Sequence, residues 1–407
     1  MKIAVIGAGI SGLSCAYYLS KQHEVWLLEK DTRIGGHTHT ISVKGTPVDT
    51  GFIVHNDRTY PNFQRLMREL GVESQPSDMS FAVTSPNFEY ASHGLNSYFA
   101  QRSLLFSPAH YALLREIMRF NREAPKLLDV PNAEELTLLE FLRQGQYSQP
   151  FIERYLYPMA SAIWSMPNEG MHGFPALTLV RFFHNHGMLG INTHPKWKTI
   201  RGGSNTYIAP MTMPYRERIL SGVEVAAVER RENGVTVKIH GRADLEVDQV
   251  VFACHGDQVL PMLAKPTERE RTVFADLRTS SNDTCLHTDT RLLPRRPLAR
   301  ASWNYLLGKT SGATLTYHMN RLQSLRTEEQ YCVTLNATAS IDPAKIIRRM
   351  NYEHPVYSKA AIRAQARWSE VSGVNRTHYC GAYWFYGFHE DGVNSAIRVA
   401  KSLGIEV

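Results

Sequence analysis

The stretch MKIAVIGAGISGLSCAYYLSKQHEVWLLEKDTRIGGH, residues 1–37, sets the architecture of the chain. Lys2 to Ile6 is a short β-branched strand, and Gly7-Ala8-Gly9-Ile10-Ser11-Gly12 comes directly after it. A helical pattern (Leu13, Ala16, Tyr17, Leu19) runs on, and a second apolar strand, Val25 to Leu28, ends on Glu29. Strand, glycine turn, helix, strand and acid, in that order, make half of a dinucleotide site. Gly7 permits the tight turn, Gly9 leaves room for a pyrophosphate, and Gly12 lets the helix lie close to the sheet. The helix N-terminus, with Ile10 and Ser11, offers N–H groups and partial positive charge to phosphates. Glu29, 22 residues after Gly7, is spaced to accept from ribose hydroxyls. A glycine turn without a ligand is the plain alternative; the flanking strands and the acid favour an adenine dinucleotide.

The residues after the acid narrow the nucleotide. Lys30 leads into Gly35-Gly36, so the segment reads E-K-D-T-R-I-G-G-H, with Ala16 four residues after Gly12. This resembles the FAD signature of the flavin amine oxidase superfamily, which includes protoporphyrinogen oxidase, phytoene-desaturase-type enzymes and UDP-galactopyranose mutases. The resemblance implies FAD as cofactor, with Lys30, Gly35, Gly36, His37 and Thr38 along it. The superfamily usually has Arg after the glycine pair; His37 is a weaker, pH-dependent cation. Asp49-Thr50-Gly51 resembles the segment beside the flavin ring, although Asp49 would serve equally as a buried acid capping a turn. Gly202-Gly203 resembles the re-entry into the FAD domain, and Val225 the position whose backbone holds the adenine.

The C-terminal THYCGAYWFYGFHEDGVNSAIRVAKSLG reads as strand, glycine, aromatic loop and a helix from near Glu390. It resembles the superfamily's flavin-closing motif. Gly381 would lie against the cofactor, and the N–H groups of Gly392, Val393 and Asn394 would face its pyrimidine end, where a positive helix end favours reduced flavin. The superfamily commonly has an acid after that glycine; here it is Ala382. The whole pattern, including GFHEDGVNSA and the HPxY at His354, most resembles a bacterial branch of NAD/FAD-binding, amine-oxidase-like proteins.

The expected architecture is α/β: a Rossmann-like, glutathione-reductase-like FAD domain with an interleaved α+β substrate domain. Residues 1–75, 197–265 and 375–407 form the discontinuous FAD domain, and 76–196 and 266–374 the substrate domain. Tyr60 to Leu70 is an amphipathic helix, Tyr98 to Leu128 is helical with a break near Pro108, and further helices are expected at Leu136–Gln144, Phe151–Ala160 and Ala176–His186. Ile219 to Ile239 holds a strand, an Asn233-Gly234 hairpin and a second strand. Strands at Cys285–Asp289, Ala313–His318 and Tyr331–Asn336 suit a sheet flooring a pocket. The aromatic, mostly helical mid-chain suits the wall of an apolar substrate cavity.

With 407 residues the chain can bury two cores, and 43% hydrophobic and 20% charged residues are ordinary for a globular protein. No apolar run reaches the roughly 20 residues that span a bilayer. A strand starting at residue 2 or 3 leaves no room for a secretion signal, and five scattered cysteines read as free thiols, so a cytoplasmic location is expected. The net charge of +7 brings no nucleic-acid motif with it. Arg291, Arg295, Arg296 and Arg300 read as a solvated face, with a patch for anionic lipid at the inner membrane face as the sharper alternative.

The histidine pairs His37/His39, His184/His186 and His172 with His194 come without cysteine pairs or an H-E-x-x-H helix, and no metal is expected. A single GxGxxG argues against a second, NAD(P)H-binding fingerprint and for hydride leaving the substrate for flavin N5, then oxygen, a quinone or another carrier. Lys196 or Lys198 could stand near N5, as lysines do in amine oxidases, and Tyr383, Trp384 and Tyr386 could wall the flavin or simply pack the core. The expected function is FAD-dependent oxidation of a small or lipid-like substrate, an acyl chain included. The alternatives are a non-redox flavin isomerase or mutase, an amine oxidase, and a flavin-free lipid- or prenyl-binding protein of this fold.

Overall fold

The computed structural model describes residues 1–190, 193–308 and 314–407. Its first sheet grows from the N-terminal stretch: β1 (Lys2–Ile6), α1 (Ile10–Leu19) and β2 (Glu24–Glu29). Three later strands join, β3 (Ile219–Ser221), β4 (Gln249–Phe252) and β5 (Thr377–Tyr379). The order is β3-β2-β1-β4-β5, with every pair parallel. A parallel sheet is covered on both faces, and alternate residues supply two cores. Ile3, Val5, Leu27 and Val251 pack with α1 and the closing helix α2 (His389–Ser402). Ala4, Ile6, Leu28, Val250 and Phe252 pack under the antiparallel sheet of Val225–Arg231, Gly234–Ile239 and Leu245–Val247. Each large apolar side chain among them, fully buried, contributes about 1.5–3 kcal/mol.

The second body is a seven-stranded mixed sheet. Its strands run Ile346–Pro355, Thr279–His287, Cys332–Leu335, Leu315–His318, Trp303–Leu306, Phe81–Thr84 and Glu89–Ala91 across the sheet. Trp303–Leu306 pairs parallel with Phe81–Thr84, which ties together segments far apart in the chain. A helical layer around Phe120, Phe151, Trp164, Phe174 and Phe183 forms a third core beside it.

Several elements differ from the sequence expectations. The strand expected at Cys285–Asp289 spans Thr279–His287 instead. The strand at Leu315–His318 starts past Ala313, which lies outside the described residues. The long edge strand Ile346–Pro355 has no counterpart among the expected strands. The helix expected from Phe151 to Ala160 is a π-turn over Ile152–Leu156 running into Tyr157–Trp164. Pro158 has no N–H to give the preceding turn, which explains the widened ladder there.

Candidate functional site

A cleft of about 1800 Å³ runs from the carboxyl ends of β1 and β2, past the N-terminus of α1, into the helical layer. Its first part is built by the glycine turn. A Cβ on Gly7 would lie 2.8 Å from the Ala253 carbonyl oxygen, and one on Gly12 only 1.8 Å from the Gly7 oxygen. Those two glycines are fixed by packing. Gly9 is the reverse: a Cβ there meets nothing within 4 Å and would stand in the open cleft. No side chain caps α1, so its first N–H groups remain available to a ligand. The glycine pair folds over this turn, with Gly36 so close that its Cβ would touch the Gly9 Cα at 3.0 Å. Glu29 is held by two backbone donors, the Ala8 N–H at 2.6 Å and the Asp31 N–H at 2.9 Å. Its carboxylate keeps lone pairs for a further donor. Lys30 and Val225 also line this end.

The middle of the cleft carries an aromatic cluster of imidazoles. His37 lies 5.1 Å from His354 and 6.4 Å from His255, ring centre to ring centre, with Tyr352 at 4.9 Å. His37 Nε2 is buried without a hydrogen-bond partner. Burial, and then the facing His354 and His255, hold the His37 imidazole well below its ordinary value. Burial pushes His354 down to about 4.

Beyond it, Gly51, Phe52 and the Tyr386–His389 segment line the cleft. Phe52 stacks on His389 at 3.6 Å. His389 Nε2 lies 3.1 Å from Thr38 Oγ1 and 3.3 Å from the Tyr207 hydroxyl, and burial lowers it to about 3. The aromatic loop is pinned from behind. Gln365 Nε2 donates to the carbonyls of Tyr383 and Phe385 at 2.8 and 2.7 Å, and Trp164 Nε1 to that of Tyr386 at 3.3 Å. At the start of α2 the Asp391 carboxylate accepts from the Phe388 N–H at 2.9 Å, and burial pushes it up to about 7. Asp49 sits under the Gly203–Ser204 turn, accepting from the Ser204 N–H and hydroxyl, both at 2.9 Å, and rises through burial to about 6.

Of the residues singled out in the sequence, Gly7, Gly9, Ile10, Ser11, Glu29, Lys30, Gly36, His37, Gly51, Val225 and Gly381 line the cleft. Gly12, Gly35 and Thr38 support it from behind. Gly392, Val393 and Asn394 stand elsewhere. The helix begins at His389, so the Gly392 N–H is spent on the Phe388 carbonyl at 3.0 Å. A Cβ on Gly392 would strike Ile10 at 2.7 Å, so this glycine lets α2 lie against α1. The first-turn N–H groups belong to His389, Glu390 and Asp391. Tyr383 and Tyr386 line the cleft; Trp384 is buried in the core against Phe274, with Arg398 over its ring. Lys196 and Lys198 are at the cleft, Lys196 exposed and Lys198 3.8 Å from Asp57. The arginine patch is partly neutralised: Arg291 pairs with Asp289 and Arg296 with Glu89. The residues missed by sequence reasoning are Tyr352 and Glu353 on the unexpected edge strand, and Phe52 and His389. The HPxY pattern at His354 was the one local signal for that strand.

The far part of the cleft has a different lining. Phe81, Tyr98, Leu114, Ile117, Met159, Trp164 and Phe182 wall it, with His194, Lys196 and Lys198 also present. Five acids line the whole cleft: Glu29, Asp31, Glu224, Asp257 and Glu353. The first three stand at the β2 end. Asp257 comes after β4, and Glu353 lies 3.5 Å from His255, beside it. Among the described residues, none of these five carboxylates comes from the helical segments that carry the apolar lining, and no group of three or more His, Cys, Asp or Glu could hold a metal ion.

The open space at Gly9, the uncapped helix end, the acid at Glu29 and the unbonded His37 nitrogen together fit an adenine dinucleotide carrying a flavin. Comparison with known proteins agrees. The family model of flavin containing amine oxidoreductases matches residues 10–301. Prenylcysteine oxidase 1 of Bos taurus is 23% identical over 259 residues, 56% of this chain and 48% of that protein, so the chain spans about half the length of this relative. Among solved structures, a putrescine oxidase variant superposes with a TM-score of 0.74 at 15% identity, covering 98% of each chain. A CLA-producing fatty acid isomerase from P. acnes gives 0.74 at 16% identity, covering 99% of this chain and 98% of that one.

Proposed function

The chain belongs to the family of flavin containing amine oxidoreductases, FAD-dependent oxidoreductases, and from that premise we propose that it oxidises a lipid-like substrate, an acyl chain with an anionic head. One observation carries the reading: the apolar part of the cleft has no carboxylate among the described residues. An ammonium substrate would lose its hydration there without a counter-charge, a cost of several kcal/mol. A carboxylate-headed chain meets the opposite situation. Its tail is matched by Leu114, Ile117 and Met159, and its head by the exposed Lys196, with Lys198, already paired with Asp57 at 3.8 Å, beside it. Bound FAD supplies the chemistry, hydride acceptance, with oxygen, a quinone or another carrier taking the electrons onward.

The chain's own residues then have limited tasks. Glu29 takes the adenosine ribose, α1 the diphosphate, and His37 Nε2 is the donor left over on the flavin side, where the superfamily's arginine is absent. The first turn of α2 directs its positive end toward the ring site. Phe52, Tyr386 and Phe388 exclude water, and the apolar walls fix the chain against the ring, so that positioning carries the rate. An isomerase of fatty chains is the second reading, favoured by the same apolar lining. Both lipid readings stand against an amine oxidase.

The test is anaerobic mixing of the holoprotein with long-chain unsaturated fatty acids and with a panel of mono- and diamines. Bleaching of the flavin spectrum by fatty acids and not by amines supports the reading. Bleaching by amines alone overturns it. Double-bond migration in the fatty acid without bleaching selects the isomerase.

A further inference from the structure

The face of the molecule behind the cleft carries large exposed apolar side chains beside basic ones. Phe106 is 88% exposed and Leu95 70%. Leu105, Tyr111, Met118 and Leu298 are exposed beside them. These positions are contiguous. The Tyr111 hydroxyl donates to the Leu105 carbonyl at 3.1 Å, and Arg102 bonds the Asn96 side chain at 2.6 Å, next to Leu95. Arg102, Arg296 and Leu298 border one shallow depression.

The Pro108–Glu123 helix joins this face to the cleft. Its residues 114, 117 and 121 line the cleft, at the i, i+3, i+7 spacing of one helix side. Tyr111, Arg115, Met118 and Arg122, at i, i+4, i+7, i+11, are exposed on the other. The thickness of one helix thus separates solvent from the apolar cavity. Tyr, Met and Arg alternating on an exposed side, with a phenylalanine at the helix entrance, is the composition of a helix lying in a membrane interface. The charge agrees over the first half of the face: no Asp or Glu occurs between Glu89 and Glu116, and Arg102, Arg115 and Arg295 are exposed, while farther along the helix Arg122 is paired with Glu123 at 3.1 Å. Scattered single apolar residues are normal on a surface; a contiguous patch with a polar rim marks a partner.

We propose that this face, centred on Phe106 and the outer side of the Pro108–Glu123 helix, docks on an anionic lipid surface. It shares Arg295, Arg296 and Leu298 with the Arg291–Arg300 run singled out in the sequence, whose Arg291 and Arg296 are held by acids, and extends from there onto Phe106 and the helix. Phe106, Leu105 and Leu298 enter the acyl boundary, and the arginines meet the headgroups. The docking stands whether or not the substrate is a lipid, because it rests on the outside of the wall and not on the cleft.

The experiment is co-sedimentation of the FAD-loaded protein with vesicles of pure phosphatidylcholine and of phosphatidylcholine with phosphatidylglycerol, in the absence of substrate. The expected result is binding to the anionic vesicles only. Phe106→Asp should lower that affinity at least about tenfold. Arg115→Gln should lower it about fivefold, an effect erased by high salt. Both sites are exposed, so thermal unfolding and the flavin spectrum should match the parent. Absence of binding to anionic vesicles overturns the proposal, as does full binding by Phe106→Asp. Concentration-dependent dimerisation in solution that Phe106→Asp abolishes also overturns it, since the face then covers a second copy of the chain.

Discussion

Replacing Gly9 by alanine separates folding from cofactor binding more cleanly than any other change in the glycine turn. The backbone at Gly9 lies at φ −73° and ψ −178°, which alanine adopts without strain. An added Cβ meets no protein atom within 4 Å. Alanine at a helix cap loses up to about 1 kcal/mol relative to glycine, and reduced freedom of the unfolded chain returns about 0.4–1 kcal/mol. The stability of the apoprotein should therefore stay within about 1 kcal/mol of the parent. The cofactor fares otherwise. The methyl stands where the diphosphate must approach the first N–H groups of α1, and hydrogen bonds to a charged group are worth about 1.5–3 kcal/mol each. Losing two of them costs about 3–6 kcal/mol, or roughly 10²–10⁴ in affinity. The assay pairs urea unfolding of the apoproteins with titration of FAD by flavin fluorescence. Gly12→Ala is the control, because its Cβ would sit 1.8 Å from the Gly7 oxygen and it should fail to fold. A Gly9→Ala protein that folds and binds FAD as tightly as the parent would refute the placement of the diphosphate.

The same structure fixes other outcomes. Arg230→Met should destabilise by about 3–5 kcal/mol in urea unfolding, because the buried Glu270, shared with the Tyr379 hydroxyl, loses its counter-charge. The apoprotein's stability should rise from about pH 4 to about 6.5. His39, His55, His186, His287, His354 and His378 are lowered to about 4 and His389 to about 3, so their contribution is present above the ordinary imidazole value and lost as pH falls through the folded values. Asp49 and Asp391, raised to about 6 and 7, act in the other direction, their contribution fading as pH rises through those values, and the imidazoles outnumber them. A flat or falling urea midpoint over this range would contradict the balance. Lys196→Met with Lys198→Met should raise KM for a carboxylate-headed substrate about tenfold and leave kcat within about twofold, the signature of uniform binding.

The FAD half of the fold was legible because its signals are local. Gly7, Gly9 and Gly12 need only their own backbone and the strands beside them, and the 22-residue spacing to Glu29 is set by one strand–helix–strand unit. The edge strand Ile346–Pro355 was not, because Ile-Ile-Arg-Arg-Met-Asn-Tyr lacks the period-2 alternation of a half-buried strand. Its pairing with Thr279–His287 alone reveals it, and with it Tyr352 and the setting of His354. At the closing helix, a start at His389 changes which N–H groups are open; each residue turns the helix by about 100°, so Gly392 faces α1. The arginine run illustrates the same limit. Glu89, which neutralises Arg296, lies 207 residues away in the chain. Nothing local announces such a partner, nor the exposed apolar face around Phe106, which becomes visible only when the surrounding core has been subtracted.

Whether the apolar part of the cleft, without a carboxylate, selects an anionic lipid-like substrate over an amine is decided by one comparison. It is the anaerobic flavin spectrum of the holoprotein titrated with a long-chain fatty acid and with its amine analogue of equal length. Perturbation or bleaching at low concentrations of the acid, and none with the amine, is the expected result. A spectrum that bleaches with the amine and ignores the acid would contradict that selection.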